Sequence, residues 1–169
     1  MTARDTGTDF VLEQMILPAS SRGGNGYQTQ ALVGLRPSGG KDVIDILAEK
    51  NAKRILISLK WQQISGTAEQ KIPYEVICLA FSAYESKFDK AYLVLGGNGW
   101  SLRDFYVSGG LDGFLKLPAE VKIVKFEDFV AIANQGCLYF KATKRRGLYQ
   151  ILFQLWCKEK RILGNKIYN

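Results

Sequence analysis

The sequence contains no histidine, and this single absence excludes several classes of enzyme. Serine and cysteine hydrolases with a histidine base, zinc sites with histidine ligands and histidine-centred nuclease motifs all require the missing residue. Any catalysis would have to use carboxylates, lysine and hydroxyl groups, together with a hard metal ion. The search for a site therefore begins with the acids and lysines.

Cysteine and long apolar runs are also scarce. The three cysteines, Cys78, Cys137 and Cys157, are too widely spaced for a zinc ribbon or a disulfide framework. We therefore expect reduced, mostly buried thiols. No apolar run approaches the ~20 residues that cross a bilayer, and the N-terminal segment MTARDTGTDF lacks the apolar core of a secretory signal. These absences predict a cytoplasmic protein without a membrane segment.

The positive charge is concentrated near the end of the chain. Residues 137–169 hold eight Lys or Arg and one acid, whereas the preceding residues hold fifteen of each sign, so the extension accounts for the whole net charge of +7. Tyrosine and phenylalanine lie among these bases, a composition that suits a polyanion, although a solvated basic helix would look similar. The candidate polyanion contacts here are Lys141, Lys144, Arg145 and Arg146.

Hydrophobic periodicity predicts alternating helices and strands in one domain of 169 residues. A crossover that follows a strand meander generates both parallel and antiparallel pairs, so we expect an α/β fold with a mixed central sheet. We divide the chain into a core, 1–136, and a basic aromatic extension of the same domain, 137–169. The predicted elements are a helix over 8–17, strands over 31–35, 43–47 and 55–59, a helix within 67–86, a strand over 91–97, an irregular helical turn, a strand over 121–126 and a helix over 127–134.

Two charged residues interrupt apolar strands. Asp45 lies within VIDIL and Lys60 lies within ILISLKWQQ. If these strands form a hairpin centred near 50–52, Asp45 comes within reach of Ser58 and Lys60. One interpretation is a structural ion pair, because buried charges are usually paired. The other is a carboxylate that binds Mg²⁺ beside a lysine that acts on water during phosphodiester hydrolysis.

Asp42 is an alternative to Asp45 on the same predicted strand. Residues three apart on a regular strand face opposite sides, so only one of the two should share the face of Lys60. Asp45 is favoured because apolar residues surround it in the sequence.

The segments VIDIL, ILISLKWQQ, SGTAEQKIPYEV and AYLVLGGNGW, in this order, resemble the PD-(D/E)xK nuclease superfamily, specifically its restriction-endonuclease-like members. The resemblance covers roughly residues 9–136. The family signature is an Asp at the end of one strand and an acid–x–Lys on the next, which corresponds to Asp45 and to Ser58-Leu59-Lys60. The resemblance implies a restriction-endonuclease-like core with the order helix, three-strand meander, helix, strand, strand, helix.

Ser58 departs from the family pattern, which usually has Glu or Asp at this position. Some restriction enzymes look similar, with serine here and a replacement carboxylate from the following helix. Glu69 and Glu75 are the two candidates, and position favours Glu69 as the second metal ligand beside Asp45. Thr67 and Gln70 form a capping-box pattern that would start the helix just before Glu69. Pro73 cannot donate a helical hydrogen bond and would prefer the first turn, and a helix that starts later would leave Glu69 in the approach loop, still near the site.

Further site residues come from the same resemblance. Gln62 follows Lys60 at strand spacing and could contact the phosphate or the water. Glu13 on the first helix is an additional acid candidate. The segment RGGNGYQTQ reads as a loop that could reach DNA, with the candidate contacts Arg22, Asn25, Tyr27 and Gln28.

The resemblance implies a Mg²⁺-dependent DNA endonuclease similar to type II restriction enzymes, with Mn²⁺ as a substitute cation and a homodimer if the target is palindromic. A Holliday-junction resolvase or DNA repair nuclease of the same fold is one alternative, and cleavage of branched and linear duplexes would separate the two. A second alternative is a non-catalytic nucleic-acid-binding protein in which Ser58 marks a decayed site.

Overall fold

The computed structural model of the protein describes Ile16, Pro18 and residues 26–138. Of the predicted first helix, 8–17, the described residues include Ile16 alone, and nearly all of the basic extension lies outside them. The boundary proposed after residue 136 therefore stays a prediction. The candidate residues outside the described part are Glu13, Arg22, Asn25, Lys141, Lys144, Arg145 and Arg146, and Cys157 lies there too.

The described residues form the alternating elements that the hydrophobic pattern predicts. The strands are β1 (Gly26–Leu35), β2 (Lys41–Lys50), β3 (Lys53–Trp61), β4 (Lys90–Gly96) and β5 (Val121–Lys125). The helices are α1 (Ile72–Glu85), α2 (Arg103–Val107) and α3 (Phe126–Asn134), and a 3₁₀ helix (Thr67–Lys71) precedes α1.

The sheet has the strand order β1-β2-β3-β4-β5. Strands β1, β2 and β3 pair in antiparallel fashion, whereas β3 with β4 and β4 with β5 pair in parallel. The α/β class with a mixed sheet flanked by helices is therefore confirmed. β3 is the pivot of this arrangement, because it joins the antiparallel meander to the parallel half.

Each face of the sheet is covered by helix. On one face Leu56 and Leu93 contact α1, and on the other Ile57 and Val94 contact α3. β4 is buried along its whole length, as its near-continuous apolar sequence predicts. Ile16 is fully buried and belongs to the core on the α3 face.

The β2–β3 hairpin turns at Asn51 and Ala52, which both have positive φ angles, 51° and 60°. This is the backbone of a two-residue turn of the primed type, which matches the twist of the flanking strands. The hairpin pairs Ile46 with Ile57. The predicted hairpin centre is therefore correct, and the next residues outward are Asp45 and Ser58.

Side-chain alternation along β2 is interrupted at Asp45. Ile44 contacts the α1 layer, whereas Ile46, two residues later, contacts the α3 layer. Regular alternation would place both on the same side. The premise that Asp42 and Asp45 must face opposite sides is therefore wrong, since both lie toward α1.

Two local predictions differ from the structure. β1 begins at Gly26, so Tyr27 and Gln28 belong to an exposed strand paired with β2 and not to a loop. The capping box of Thr67 and Gln70 does not form: no side chain caps the 3₁₀ helix, and α1 begins later, with Pro73 in its first turn. Proline is tolerated there because the first helical N–H groups have no intrahelical acceptor. Among the described residues no helix has the length and hydropathy of a membrane span.

The loop after β4 packs tightly on the end of β3. Gly97 has a φ of +88°, and a Cβ at this position would overlap the carbonyl oxygen of Gln62. Gly39, in the β1–β2 turn, has a similar φ of +84° but no atom within 4 Å of the same position. A side chain at Gly39 would therefore add backbone strain alone, whereas a side chain at Gly97 would add backbone strain and a steric clash.

We expect Gly39→Ala to lower the free energy of unfolding by about 1 kcal/mol, the cost of a left-handed non-glycine residue. Gly97→Ala adds a steric clash with backbone, so it should cost at least about 2 kcal/mol more. Urea denaturation of both variants measures the difference. Equal losses would contradict the close contact at Gly97.

Candidate active site

β2 and β3 bring Asp45 to the end of the hairpin that carries Ser58. Oδ2 of Asp45 accepts a hydrogen bond from the backbone N–H of Leu59 at 2.7 Å and lies 3.3 Å from Oγ of Ser58. The carboxylate is thus oriented by the backbone of the neighbouring strand. The predicted proximity of Asp45 to β3 follows directly from the hairpin register.

Glu75 reaches the same place from the first turn of α1. Its Oε1 accepts a hydrogen bond from Oγ of Ser58 at 3.0 Å. The same oxygen forms an ion pair with Nζ of Lys60, also at 3.0 Å. Ser58 is 2% exposed and carries one hydroxyl proton, so it can donate to only one carboxylate at a time. The shorter distance is the one to Glu75.

Electrostatics keep Glu75 ionised despite its burial. Burial alone would raise the pKa of its carboxyl group, but the Lys60 ammonium, the Ser58 hydroxyl and the Arg36 guanidinium hold this pKa below its ordinary value of 4.5. Lys60 itself is partly exposed, with 36% of its side chain accessible. Asp45, Ser58, Lys60 and Glu75 therefore form one polar cluster on the α1 side of the sheet, with one cation open to solvent.

Glu69, the favoured second ligand, lies elsewhere. Its Oε1 accepts hydrogen bonds from the backbone N–H groups of Ser101 and Leu102, just before α2, at 2.9 Å in the case of Leu102. Its carbonyl oxygen accepts a further bond from the Tyr106 hydroxyl. α1 starts after Glu69, so the carboxylate of Glu69 faces the loop after β4, whereas Glu75 is the acid that Ser58 links to Asp45.

Gln62 is buried, at 7% exposure, and also faces that loop. Its Nε2 donates to the carbonyl oxygen of Gly99 at 2.6 Å, and the backbone of Gln62 bonds to Gly96 and Gly99. In the part of the chain that the structure describes, Oε1 of Gln62 has no hydrogen-bond partner. The glutamine thus ties the end of β3 to the loop after β4.

Sequence reasoning missed Arg36 as a neighbour of this cluster. Arg36 lies in the β1–β2 turn and forms an ion pair with the buried Asp42, with 3.0 Å between Nε and Oδ1. An arginine and an aspartate on either side of a predicted hairpin turn are the signal that could have identified the pair. Antiparallel pairing brings the two sides of the turn together, and Asp42 pairs with Gly34, two residues before Arg36.

The donor set fits a hard divalent cation. Asp45 and Glu75 supply carboxylate oxygens from two elements that one serine hydroxyl joins. Within the described residues Oε2 of Glu75 makes no hydrogen bond, so it is available to a ligand. In the described part of the chain, no group of three or more His, Cys, Asp or Glu side chains is arranged so that it could hold a metal ion. Two carboxylates suffice for Mg²⁺, which usually keeps several of its water ligands.

A model of the PD-(D/E)XK nuclease superfamily domain matches residues 9–137, which is most of the chain. The chain belongs to the PD-(D/E)XK nuclease superfamily. In this PD-(D/E)XK chain the conserved geometry of an Asp on one strand and a Lys on the next is present in Asp45 and Lys60. Members of the superfamily act on nucleic acid, and they generally use divalent metals.

One solved structure with a similar fold is described as "Crystal Structure of Protein of Unknown Function AF1548". It is 11% identical to this nuclease-superfamily chain with a TM-score of 0.42. The match covers 66% of this chain and 55% of that one, so the chain spans about half the length of that protein. Among curated proteins, no sequence matches this one.

The lowered pKa of Glu75 predicts a contribution to acid stability. A carboxyl group with a depressed folded pKa adds stability that is present above its unfolded value, 4.5, and is lost as the pH falls through the folded value. We therefore expect Glu75→Gln to reduce the loss of unfolding free energy below pH 4.5. Lys60→Gln removes the main cause of the shift and should have a similar effect.

Urea denaturation at a series of acidic pH values measures both variants and the double variant. Because the two side chains act through one ion pair, the unfolding free energy of the double variant should depend on pH as strongly as that of Glu75→Gln alone. Additive effects of the two substitutions would show that the pair does not set the pKa of Glu75.

Proposed function

We propose that this protein is a Mg²⁺-dependent endonuclease that hydrolyses phosphodiester bonds in DNA, in the manner of type II restriction enzymes. The observation that carries the proposal is the single hydroxyl of Ser58, which lies 3.3 Å from the carboxylate of Asp45 and 3.0 Å from that of Glu75. One carboxylate from a strand, one from a helix and the nearby Lys60 are the groups that a phosphodiesterase site without histidine would need.

Asp45 and Glu75 would hold the cation in this proposal. Asp45 is oriented by the N–H of Leu59, and Glu75 offers Oε2 while Oε1 stays with Ser58 and Lys60. When bound, the cation supplies a Lewis acid that offsets charge on the scissile phosphate. Glu75 thereby takes the role of the acid that the family signature usually has at the position of Ser58.

Lys60 would position the attacking water. Its ammonium group is partly exposed at the end of β3 and is held by Oε1 of Glu75 at 3.0 Å. A cation at this point can bind the water or stabilise the hydroxide that forms from it, and it attracts the phosphate in either role. Gln62 supports the site by holding the loop that follows β4, and Glu69 does so by holding the residues before α2.

A decayed site is the weaker alternative. Loss of an acid at Ser58 would leave Asp45 as a lone carboxylate, and the remaining groups would have no reason to converge. Ser58 instead donates to Glu75, which Lys60 also contacts. This arrangement supports the interpretation that the second carboxylate is supplied by Glu75 in place of an acid at position 58, and not that it has been lost. A homodimer and a cytoplasmic location stay predictions, as do DNA contacts from Tyr27 and Gln28.

Lys60→Ala should abolish Mg²⁺-dependent cleavage and leave DNA binding largely intact, because the ammonium group acts on water and not on the duplex as a whole. A supercoiled plasmid reports nicking, and fluorescence anisotropy with Ca²⁺ in place of Mg²⁺ reports binding. Nicking at the wild-type rate by this variant would overturn the assignment of Lys60.

Glu75→Gln and Glu69→Gln remove the same charge from neighbouring turns of the chain and form a matched pair. Ser58 links Glu75 to Asp45, so Glu75→Gln should weaken Mn²⁺ binding at least about tenfold and abolish cleavage. Glu69→Gln keeps an oxygen acceptor for Leu102 and should bind Mn²⁺ as the unaltered protein does. Isothermal titration calorimetry measures both, and the reverse result would return the ligand to Glu69.

A further inference from the structure

Arg36 and Asp42 form a charged pair next to the proposed site that its chemistry does not use. Asp42 is 3% exposed, and both of its carboxylate oxygens are engaged: Oδ1 by Nε of Arg36 at 3.0 Å and Oδ2 by the hydroxyl of Ser82 at 2.5 Å. Ser82 belongs to α1, so the pair links the β1–β2 turn to that helix. The buried charge of Asp42 is thereby compensated.

The guanidinium group of Arg36 is held by one edge only. Its Nε donates to Asp42, whereas Nη1 and Nη2 make no hydrogen bond within the described residues. The side chain is 34% exposed. Two parallel N–H donors at the outer end of an immobilised guanidinium are suited to the two oxygens of a phosphate group.

Arg36 lies on the same side of the sheet as the proposed active site, since its partner Asp42 bonds to Ser82 of α1. Ser82 and Glu75 are seven residues apart on α1, two helical turns, and therefore share one face of the helix. Asp42 is three residues from Asp45 along β2, roughly 10 Å at strand spacing. The positive charge of Arg36 also acts on Glu75, whose pKa it helps to lower. Arg36 and Lys60 thus place positive charge around the same carboxylates.

We propose that Arg36 binds a backbone phosphate of the nucleic acid through Nη1 and Nη2, next to the phosphate that is cleaved. The inference rests on the proposed function for its substrate. Asp45, Glu75 and Asp42 together repel a polyanion, and a fixed cation in front of them offsets that repulsion. Asp42 serves to hold the guanidinium by Nε, so that its outer edge stays available to the substrate.

The alternative is that Arg36 only compensates the buried charge of Asp42. The double variant Arg36→Gln/Asp42→Asn separates the two roles, because it removes the cation and its buried partner together and leaves the net charge of +7 unchanged. Asn keeps the shape of Asp42 and Gln is a shorter neutral replacement for Arg36, so no buried charge is left unpaired and the fold should be retained. Circular dichroism checks this.

Binding of the full chain to a fluorescein-labelled linear duplex is measured by anisotropy in Ca²⁺ at several salt concentrations. Loss of one phosphate contact should lower the slope of log K against log salt by about 0.9 and weaken binding about tenfold at low salt. Lys53→Gln is the control, since Lys53 is an exposed cation at the start of β3, beside the β2–β3 turn and at the other end of β2. Its slope should equal that of the unaltered protein.

An unchanged slope in the double variant would overturn the phosphate contact and leave Arg36 as the partner of Asp42 alone. If the double variant does not fold, Arg36→Lys is measured in its place, because it keeps the positive charge but loses the planar pair of donors. Its binding should weaken while its salt slope stays the same. Unchanged affinity would overturn the proposal.

Cleavage distinguishes this inference from the proposed function. A protein that shows the expected change of slope but cleaves no DNA with Mg²⁺ would retain the Arg36 contact and refute the nuclease proposal. If the unaltered protein cleaves DNA and the double variant shows no change of slope, the nuclease proposal is retained and the Arg36 contact is refuted. If the unaltered chain binds no DNA in Ca²⁺, both are contradicted.

Discussion

The hydroxyl of Ser58 is the interaction on which the arrangement of the site depends. It is buried between the carboxylates of Asp45 and Glu75 and has one proton for two acceptors. Two carboxylates at this separation repel each other, and the repulsion increases as water is excluded. The cations Lys60 and Arg36 offset it from the open side. A larger acidic side chain at position 58 would add a third negative charge where the hydroxyl now stands.

The position of β3 explains why these groups meet. The antiparallel pairing with β2 brings Asp45 to Ser58, and the parallel pairing with β4 requires a crossover, which α1 supplies on the face that carries Ser58 and Lys60. The first turn of α1 therefore lies above the polar end of β3. Gln62 and Glu69 hold the loop after β4 against the same region through backbone hydrogen bonds.

Local patterns were sufficient for the elements and for three of the four central residues. Strand alternation and the hairpin turn place Asp45, Ser58 and Lys60 together without knowledge of the remaining chain. The preference for Glu69 depended on the helix start, where a capping-box sequence competes with the constraint of Pro73, and the proline prevailed. The expectation that Asp42 and Asp45 face opposite sides failed because it assumes a regular strand. In β2 the alternation of side chains between the two faces is interrupted at Asp45.

By itself, the amino-acid sequence determined the fold class, the exclusion of histidine chemistry and the hairpin that brings Asp45 to Ser58 and Lys60, because each depends on composition or on contacts between neighbouring strands. Only the tertiary structure decided that Glu75 and not Glu69 joins Asp45, and that Arg36 is held beside them by Asp42. These contacts depend on how a helix rotates and where it starts relative to the sheet. A shift of about one residue turns a helical side chain by roughly 100°. That rotation is set by packing of the apolar face of α1, to which residues far apart in the chain contribute.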